Sequence, residues 1–309
     1  MDHVPSFALG SNNWLSIGLT RGGKAITPAS AQDWRTATVD LVIPTFNEEE
    51  NMVRCLASVV RQTRRPRKIV VVDDASTDRS ASRARRFGNI YGIDLVVITR
   101  LNPTTKTSSL KDQARALDSD VLFVLGADTI LESDNYIERT VQELHQSAGI
   151  ASACGSILPL REKDRLAADQ SATLRPWLEA SPSYRLAKQR RWLGRLRSAT
   201  TDLYSEMLYR LQRLILDEEF AVFGTMANPA GCAVAYRRAY LEALFSGVRP
   251  VPGDDDTNSG DTLIGMAMLD EGYRNILVTD VCARTSPSRP FDTQRWLLKR
   301  TLGSLQACR

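Results

Sequence analysis

The sequence predicts an α/β fold, a mostly parallel sheet flanked by helices, and three observations carry that expectation. Between residues 39 and 145, short apolar runs alternate with segments of helical period, the pattern of strand-helix-strand units. Three of those runs end in polar or acidic residues: Pro44-Thr45-Phe46-Asn47-Glu48, Asp73-Asp74 and Ala127-Asp128. Ligands of open α/β sheets bind at the carboxyl ends of the strands, where these residues fall. With 309 residues, 43% hydrophobic and 25% charged, the chain has the makeup of a folded globular protein, which excludes disordered and fibrous classes.

The elements follow in order. Residues 1–37, rich in Gly, Ser, Asn and Thr without sustained period, read as an N-terminal extension that packs on the surface or stays mobile. Inside it GLTRGGK, residues 18–24, fits most of a phosphate-binding G-x-x-x-x-G-K loop. Ala25 stands where Ser or Thr belongs, however, and Pro28 follows where a helix should open. VDLVIPTF then reads as a strand, and residues 48–62 as a helix with Met52, Val53, Leu56, Val59 and Val60 on one face. The cycle repeats through KIVVVDD, a polar helix through Arg86 and Gly88, DLVVITR, a helix around 110–117, VLFVLGAD and a helix over 134–145. These make a first subdomain, 38–150, and the remainder, 151–309, a second.

Within the second, residues 161–213 hold twelve Lys/Arg against six Asp/Glu, with Trp177, Tyr184, Trp192, Tyr204 and Tyr209 interleaved. The segment reads as a helical insertion with a basic face whose aromatics pack inward, or as a contact for a membrane surface or an anionic partner. Residues 231–236 look like a strand, 240–245 a short helix, 254–256 an acidic loop, 261–269 a helix, NILVTD a strand, and a C-terminal helix starts near Phe291.

Forty Lys+Arg against 36 Asp+Glu give a formal net charge of +4, mildly favourable to phosphates. Five cysteines, scattered and never in a C-x-x-C pair, indicate neither a disulfide framework nor zinc and suit a reducing cytoplasm. With only His3 and His145 present, carboxylates are the expected agents of any chemistry. No stretch approaches the ~18 apolar residues of a membrane span, and MDHVPSFALG lacks the basic and apolar regions of a signal peptide. The expected location is the cytoplasm, extending to the inner face of the membrane.

Four separated motifs, VIPTFNEE at 42–49, VVDDASTD at 71–78, Gly126-Ala127-Asp128 and Arg295-Trp296, together resemble glycosyltransferase family 2 over roughly residues 39–300. That resemblance implies a GT-A, Rossmann-like fold and inverting sugar transfer from a nucleotide sugar, with 151–309 on the acceptor side. It implies that Asp74 accepts a hydrogen bond from the nucleobase, with the backbone of Pro44 and Thr45 and the side chain of Glu48 near the nucleoside. Lys106 resembles a family lysine placed to meet the diphosphate, and is otherwise a surface lysine. Asp78 reads as turn and cap chemistry.

Two motifs depart from the family pattern. Its Asp-x-Asp becomes Gly126-Ala127-Asp128, which leaves Asp128 as the carboxylate for Mg²⁺ or Mn²⁺, completed by phosphates and water. Its T-E-D-like element becomes Ser259-Gly260-Asp261, in which Asp261 is the candidate general base, or only a helix cap, with Asp254, Asp255 and Asp256 as rivals. Asp292-Thr293-Gln294-Arg295-Trp296 resembles the Q-x-x-R-W element of the polysaccharide-synthesising branch, with Asp292 in place of Gln. There Arg295 could clamp a phosphate and Trp296 stack on a sugar.

The expected protein is therefore an inverting, metal-assisted hexosyltransferase. It would take a nucleotide sugar, UDP first, and a glycan, lipid-linked or other hydroxyl acceptor. Two alternatives stand beside it: a transferase acting on modified DNA bases, gripping DNA through the basic segments 61–68 and 161–213, and a degenerate binding or scaffold protein.

Overall fold

The computed structural model describes residues 26, 32–180, 195–247 and 260–286. The predicted loop at 18–24, the acidic run 254–256, Ser259, Asp292, Arg295 and Trp296 lie outside the described residues.

The chain opens with β1 (Val39–Thr45), α1 (Met52–Val60), β2 (Lys68–Asp73), α2 (Ser80–Tyr91) and β3 (Leu95–Thr99). α3 (Lys106–Ala116), β4 (Val121–Leu125), β5 (Thr129–Leu131) and α4 (Tyr136–Leu144) follow. The second half runs β6 (Ile150–Pro159), α5 (Glu162–Asp169), α6 (Arg175–Glu179), α7 (Arg195–Phe223), β7 (Ala233–Arg237), α8 (Arg238–Gly247), α9 (Gly260–Asp270) and β8 (Arg274–Thr285).

All eight described strands form one sheet in the order β3-β2-β1-β4-β7-β6-β8-β5. β3, β2, β1 and β4 are mutually parallel, as the strand-helix alternation predicts. β7 enters antiparallel between β4 and β6, while β6 and β8 are parallel. The reversal at β7 brings its start to the same rim as the carboxyl ends of β1, β2 and β4.

The burial of the strands follows from helices covering both faces. β4 and β7 are buried throughout, whereas β3, at the sheet edge, is half exposed. On one face Leu41, Ile43, Val71 and Phe123 pack against Leu56, Phe87 and Ile137. On the other, Val42, Val70, Val124 and Val234 pack against Leu110, Leu241, Ile264 and Met268. The N-terminal extension contributes to this second core, because Ile26 is buried and its carbonyl accepts from Tyr273 Oη at 2.8 Å.

The segment 161–213 is helical in its described parts, and Trp177 does pack inward. Among its described residues, several basic side chains have acidic partners. Arg161 pairs with Asp164 and Glu206, Arg210 with Glu206, and Arg213 with Asp217. The other basic stretch is engaged likewise. Arg61 pairs with Asp134, Arg64 donates to the carbonyls of Trp34 and Ala37, and Arg67 bridges Asp40 and Asp118. Among the described residues no helix is long and apolar enough to cross a membrane.

Candidate active site

Two loops at the carboxyl ends of β1 and β2 are locked together by their own polar side chains. Asn47 takes a left-handed backbone (φ 53°), receives the Thr77 N–H on its Oδ1 at 2.9 Å and donates its own N–H to Ser76 Oγ at 2.9 Å. Ser80 Oγ accepts from the Glu48 N–H at 2.8 Å, and the Asp74 N–H donates to the Thr45 carbonyl at 2.8 Å. Asp78 accepts from the Ser80 and Glu49 N–H groups, the turn chemistry expected of it. Thr45 is buried and its hydroxyl turns back to the Ile43 carbonyl. At this rim Thr45 therefore offers its backbone and not its side chain.

Asp74 is held by the loop after β3. Its carboxylate accepts from the Thr104 N–H at 2.8 and 2.9 Å and from Thr104 Oγ1 at 3.0 Å. Arg100 Nη1 lies 3.8 Å from Asp74 Oδ1 and, though buried, makes no hydrogen bond among the described residues. Sequence reasoning missed Arg100. The signal was present, a guanidinium immediately after the apolar run of β3, at the rim where ligands bind.

Two residues beyond Thr104, Lys106 opens α3, whose N-terminus is capped by Thr105 Oγ1 accepting from the Ser108 N–H at 3.2 Å. Lys106 Nζ donates to the Gly231 carbonyl at 2.7 Å and to both oxygens of Asp261, at 3.0 and 3.1 Å. Two residues chosen separately from the sequence, 155 positions apart, thus form one ion pair.

Glycines make that pair possible. A Cβ on Gly231 would stand 1.9 Å from Asp261 Cγ, and a Cβ on Gly260 would stand 1.9 Å from Thr107 Oγ1, both far inside van der Waals contact. The first turn of α9 therefore seats Asp261 directly on the Gly231 backbone and Gly260 against α3. Glycine at 260 suits this close approach, since it brings no Cβ against Thr107.

Asp128, at the end of β4, lies across the rim. Thr129 Oγ1 donates to its Oδ1 at 3.1 Å, and burial raises its carboxyl above the usual range, an effect that Lys106 partly offsets. Gly126 repeats the glycine logic, since a Cβ there would come within 2.7 Å of Asp128 Oδ1. Glu48 is coupled to Asp128 through charge. Burial, with Asp128 adding to it, pushes its carboxyl to about 7 against the opposing hydrogen bond from Asn51 Nδ2 at 2.7 Å.

Among the described residues no three His, Cys, Asp or Glu side chains converge as a ready-made metal cage. A single hard carboxylate is nevertheless a donor that Mg²⁺ or Mn²⁺ accepts when diphosphate and water complete the sphere. Asp128 fits such an ion, with Glu48 beside it.

The rim thus combines an α/β nucleotide-type cradle, a cation on α3 and acidic groups from β4 and α9, which is the GT-A class of fold. Residues 40–245 match the family model described as Glycosyl transferase family 2. The chain belongs to that family. It is 25% identical over 256 residues, 81% of its length, to an N-acetylglucosaminyltransferase of Azorhizobium caulinodans, and spans 55% of that relative. Its fold is similar to a mannosyltransferase of Pyrobaculum calidifontis in complex with GDP-Man and Mn²⁺ (TM-score 0.57, 18% identity, 93% of this chain and 66% of the other). It is also similar to glucosyl-3-phosphoglycerate synthase from Mycobacterium tuberculosis in complex with Mn²⁺ and UDP-glucose (TM-score 0.52, 17% identity, 89% and 80%).

Proposed function

We propose that this chain transfers a sugar, with inversion, from a nucleotide sugar to a hydroxyl acceptor, using Asp261 as general base and Asp128 on a divalent cation. The observation that carries the reading is the Lys106–Asp261 pair, held on Gly231 at the rim that also carries Asp74, Glu48 and Asp128.

The nucleoside lies on the β1 and β2 loops. Asp74 accepts from a ring N–H of the base, a donor that uracil offers. The backbone of Pro44 and Thr45 and the side chain of Glu48 flank the ribose. A divalent cation bound at Asp128 would stabilise the negative charge that gathers on the departing diphosphate.

Lys106 changes partners in this scheme. A diphosphate is the stronger anion for its ammonium, so donor binding draws Lys106 from Asp261 and exposes the carboxylate when a sugar is in place. Asp261 then takes the proton of the acceptor hydroxyl. The acceptor oxygen bonds to the anomeric carbon as the bond from that carbon to the phosphate oxygen breaks, and the electron pair leaves with the diphosphate.

Calorimetric titration of a donor panel (UDP-, GDP- and dTDP-sugars) with and without Mn²⁺ tests the donor half. The reading expects a UDP-sugar to bind, Asp128→Ala to abolish the Mn²⁺-dependent part, and Asp74→Ala to weaken nucleoside and nucleotide alike. Unchanged Mn²⁺-dependent binding in Asp128→Ala contradicts the metal assignment.

A further inference from the structure

The half of the chain after residue 150, expected on the acceptor side, sends one side chain back to the donor rim. It is Arg165, on α5, whose Nη1 donates to Asn51 Oδ1 at 3.2 Å and whose Nη2 donates to Ser286 Oγ at 2.8 Å. Each partner leads to one carboxyl group of the rim. Asn51 Nδ2 donates to Glu48 Oε2 at 2.7 Å. Ser286 donates to the Asp128 carbonyl through its N–H at 3.1 Å and its Oγ at 3.4 Å. One guanidinium thus joins the loop after β1, which carries Glu48, to the ends of β4 and β8, where Asp128 sits.

Other contacts hold α5 in place. At its end, Asp169 accepts from Arg54 Nε and Nη2 at 2.8 and 3.2 Å, a largely buried ion pair with α1. In its first turn, Asp164 accepts from the Arg161 N–H and Nε, both at 3.0 Å, and from Arg284 Nη1 on β8 at 3.4 Å. Arg165 therefore projects from a helix that is anchored at both ends without it. Its planar fork presents donors at a fixed spacing and can satisfy acceptors on two loops at once, whereas a lysine ammonium is a single point.

We propose that Arg165 is a positioning residue of the donor site, which fixes the loop of Glu48 relative to Asp128 and so makes α5 part of the donor half. The inference rests on the transferase reading above and adds to it a residue outside the family motifs. Asp128 would hold the divalent cation. Loosening its link to the Glu48 loop weakens the metal-dependent part of donor binding and leaves the nucleoside part, at Asp74, unchanged.

The test is Arg165→Lys, which keeps the charge and loses the fork, together with Ser286→Ala, which removes one arm of the bridge without altering α5. Calorimetry measures the binding of uridine and, with and without Mn²⁺, of UDP, while the melting temperature reports on the fold. For Arg165→Lys the expected result is a melting temperature and uridine affinity close to the wild type, with a loss of roughly tenfold in the Mn²⁺-dependent affinity for UDP. Ser286→Ala should lose part of the same affinity. The double variant should lose no more than Arg165→Lys alone, since both changes act through one bridge. In turnover assays the donor KM should rise by more than kcat falls. Wild-type Mn²⁺-dependent binding in Arg165→Lys, an equal loss of uridine binding, or losses that add in the double variant would overturn the proposal and leave the transferase reading standing. Failure of Arg165→Lys to fold would make Arg165 an anchor of the fold and overturn it as well. Absence of UDP binding by the wild type, with Mn²⁺ and without, would overturn the transferase reading and this proposal together.

Discussion

At the scale of single residues, Gly126 and Gly260 share one geometric feature: at both positions a Cβ would enter the space of a neighbouring side-chain oxygen. For Gly260 the obstructing atom is Thr107 Oγ1. Gly260→Ala should therefore push the first turn of α9 off α3, displace Asp261 and lower turnover. Adding Thr107→Ala removes the obstructing hydroxyl and should restore much of the loss. A double variant no better than Gly260→Ala alone would contradict this account of the seat.

Glu48 yields a prediction in pH. Burial pushes its carboxyl up to about 7 from an ordinary 4.5, so the folded state holds its proton more tightly than the unfolded state. The stability that this contributes is full below about 4.5 and is lost as pH rises through about 7. Glu48→Gln copies the protonated form, so its melting temperature should gain on the wild type steadily between pH 5 and pH 8. A difference independent of pH would show that Glu48 ionises freely in the fold.

At the scale of elements, α9 is tied down at a distance from its catalytic end. The buried Asn275 on β8 donates through Nδ2 to the Met226 and Gly265 carbonyls, at 2.9 and 3.0 Å, and accepts from Ser152 Oγ at 2.7 Å. One side chain thus joins β6, β8, the turn after α7 and the middle of α9. Asn275→Ala should destabilise the protein by about 3 kcal/mol, read as a lower urea midpoint with unchanged slope. A loss well under 1 kcal/mol would mean that water replaces the network.

The elements also show where the sequence could be read and where it could not. β1, β2 and β4 are apolar runs of Val, Ile, Leu and Phe with polar ends, and a periodicity argument finds them at once. β6, with the sequence Ile-Ala-Ser-Ala-Cys-Gly-Ser-Ile-Leu-Pro, went without a strand assignment because small residues carry little β-propensity. It is a strand because β7 and β8 pair with it on both sides. β5, only three residues long, has no periodicity to detect. The antiparallel entry of β7 depends on a long-range pairing that no local pattern encodes.

At the scale of the whole molecule, Asp74, Glu48, Lys106, Asp128 and Asp261 were each legible as motif residues, and the fold gathers them at one rim. Their mutual arrangement was not legible. Nothing local to Lys106 signals that its partner lies 155 residues away, since that contact exists only after α3 and α9 pack together over Gly231. The basic segments show the converse: their charge was legible, but the acidic partners that several of their described side chains meet were not.

The central claim is that the Lys106–Asp261 pair is a base held in reserve, and Asp261→Asn tests it most directly. Asn keeps the size of the side chain in the first turn of α9, yet it cannot take a proton. Single-turnover transfer with saturating donor, measured beside donor affinity, separates the two roles. The account predicts that turnover falls by ~10²–10⁴ while donor affinity stays close to that of the wild type. Near-normal turnover in Asp261→Asn would contradict it and leave Asp261 as a partner for Lys106.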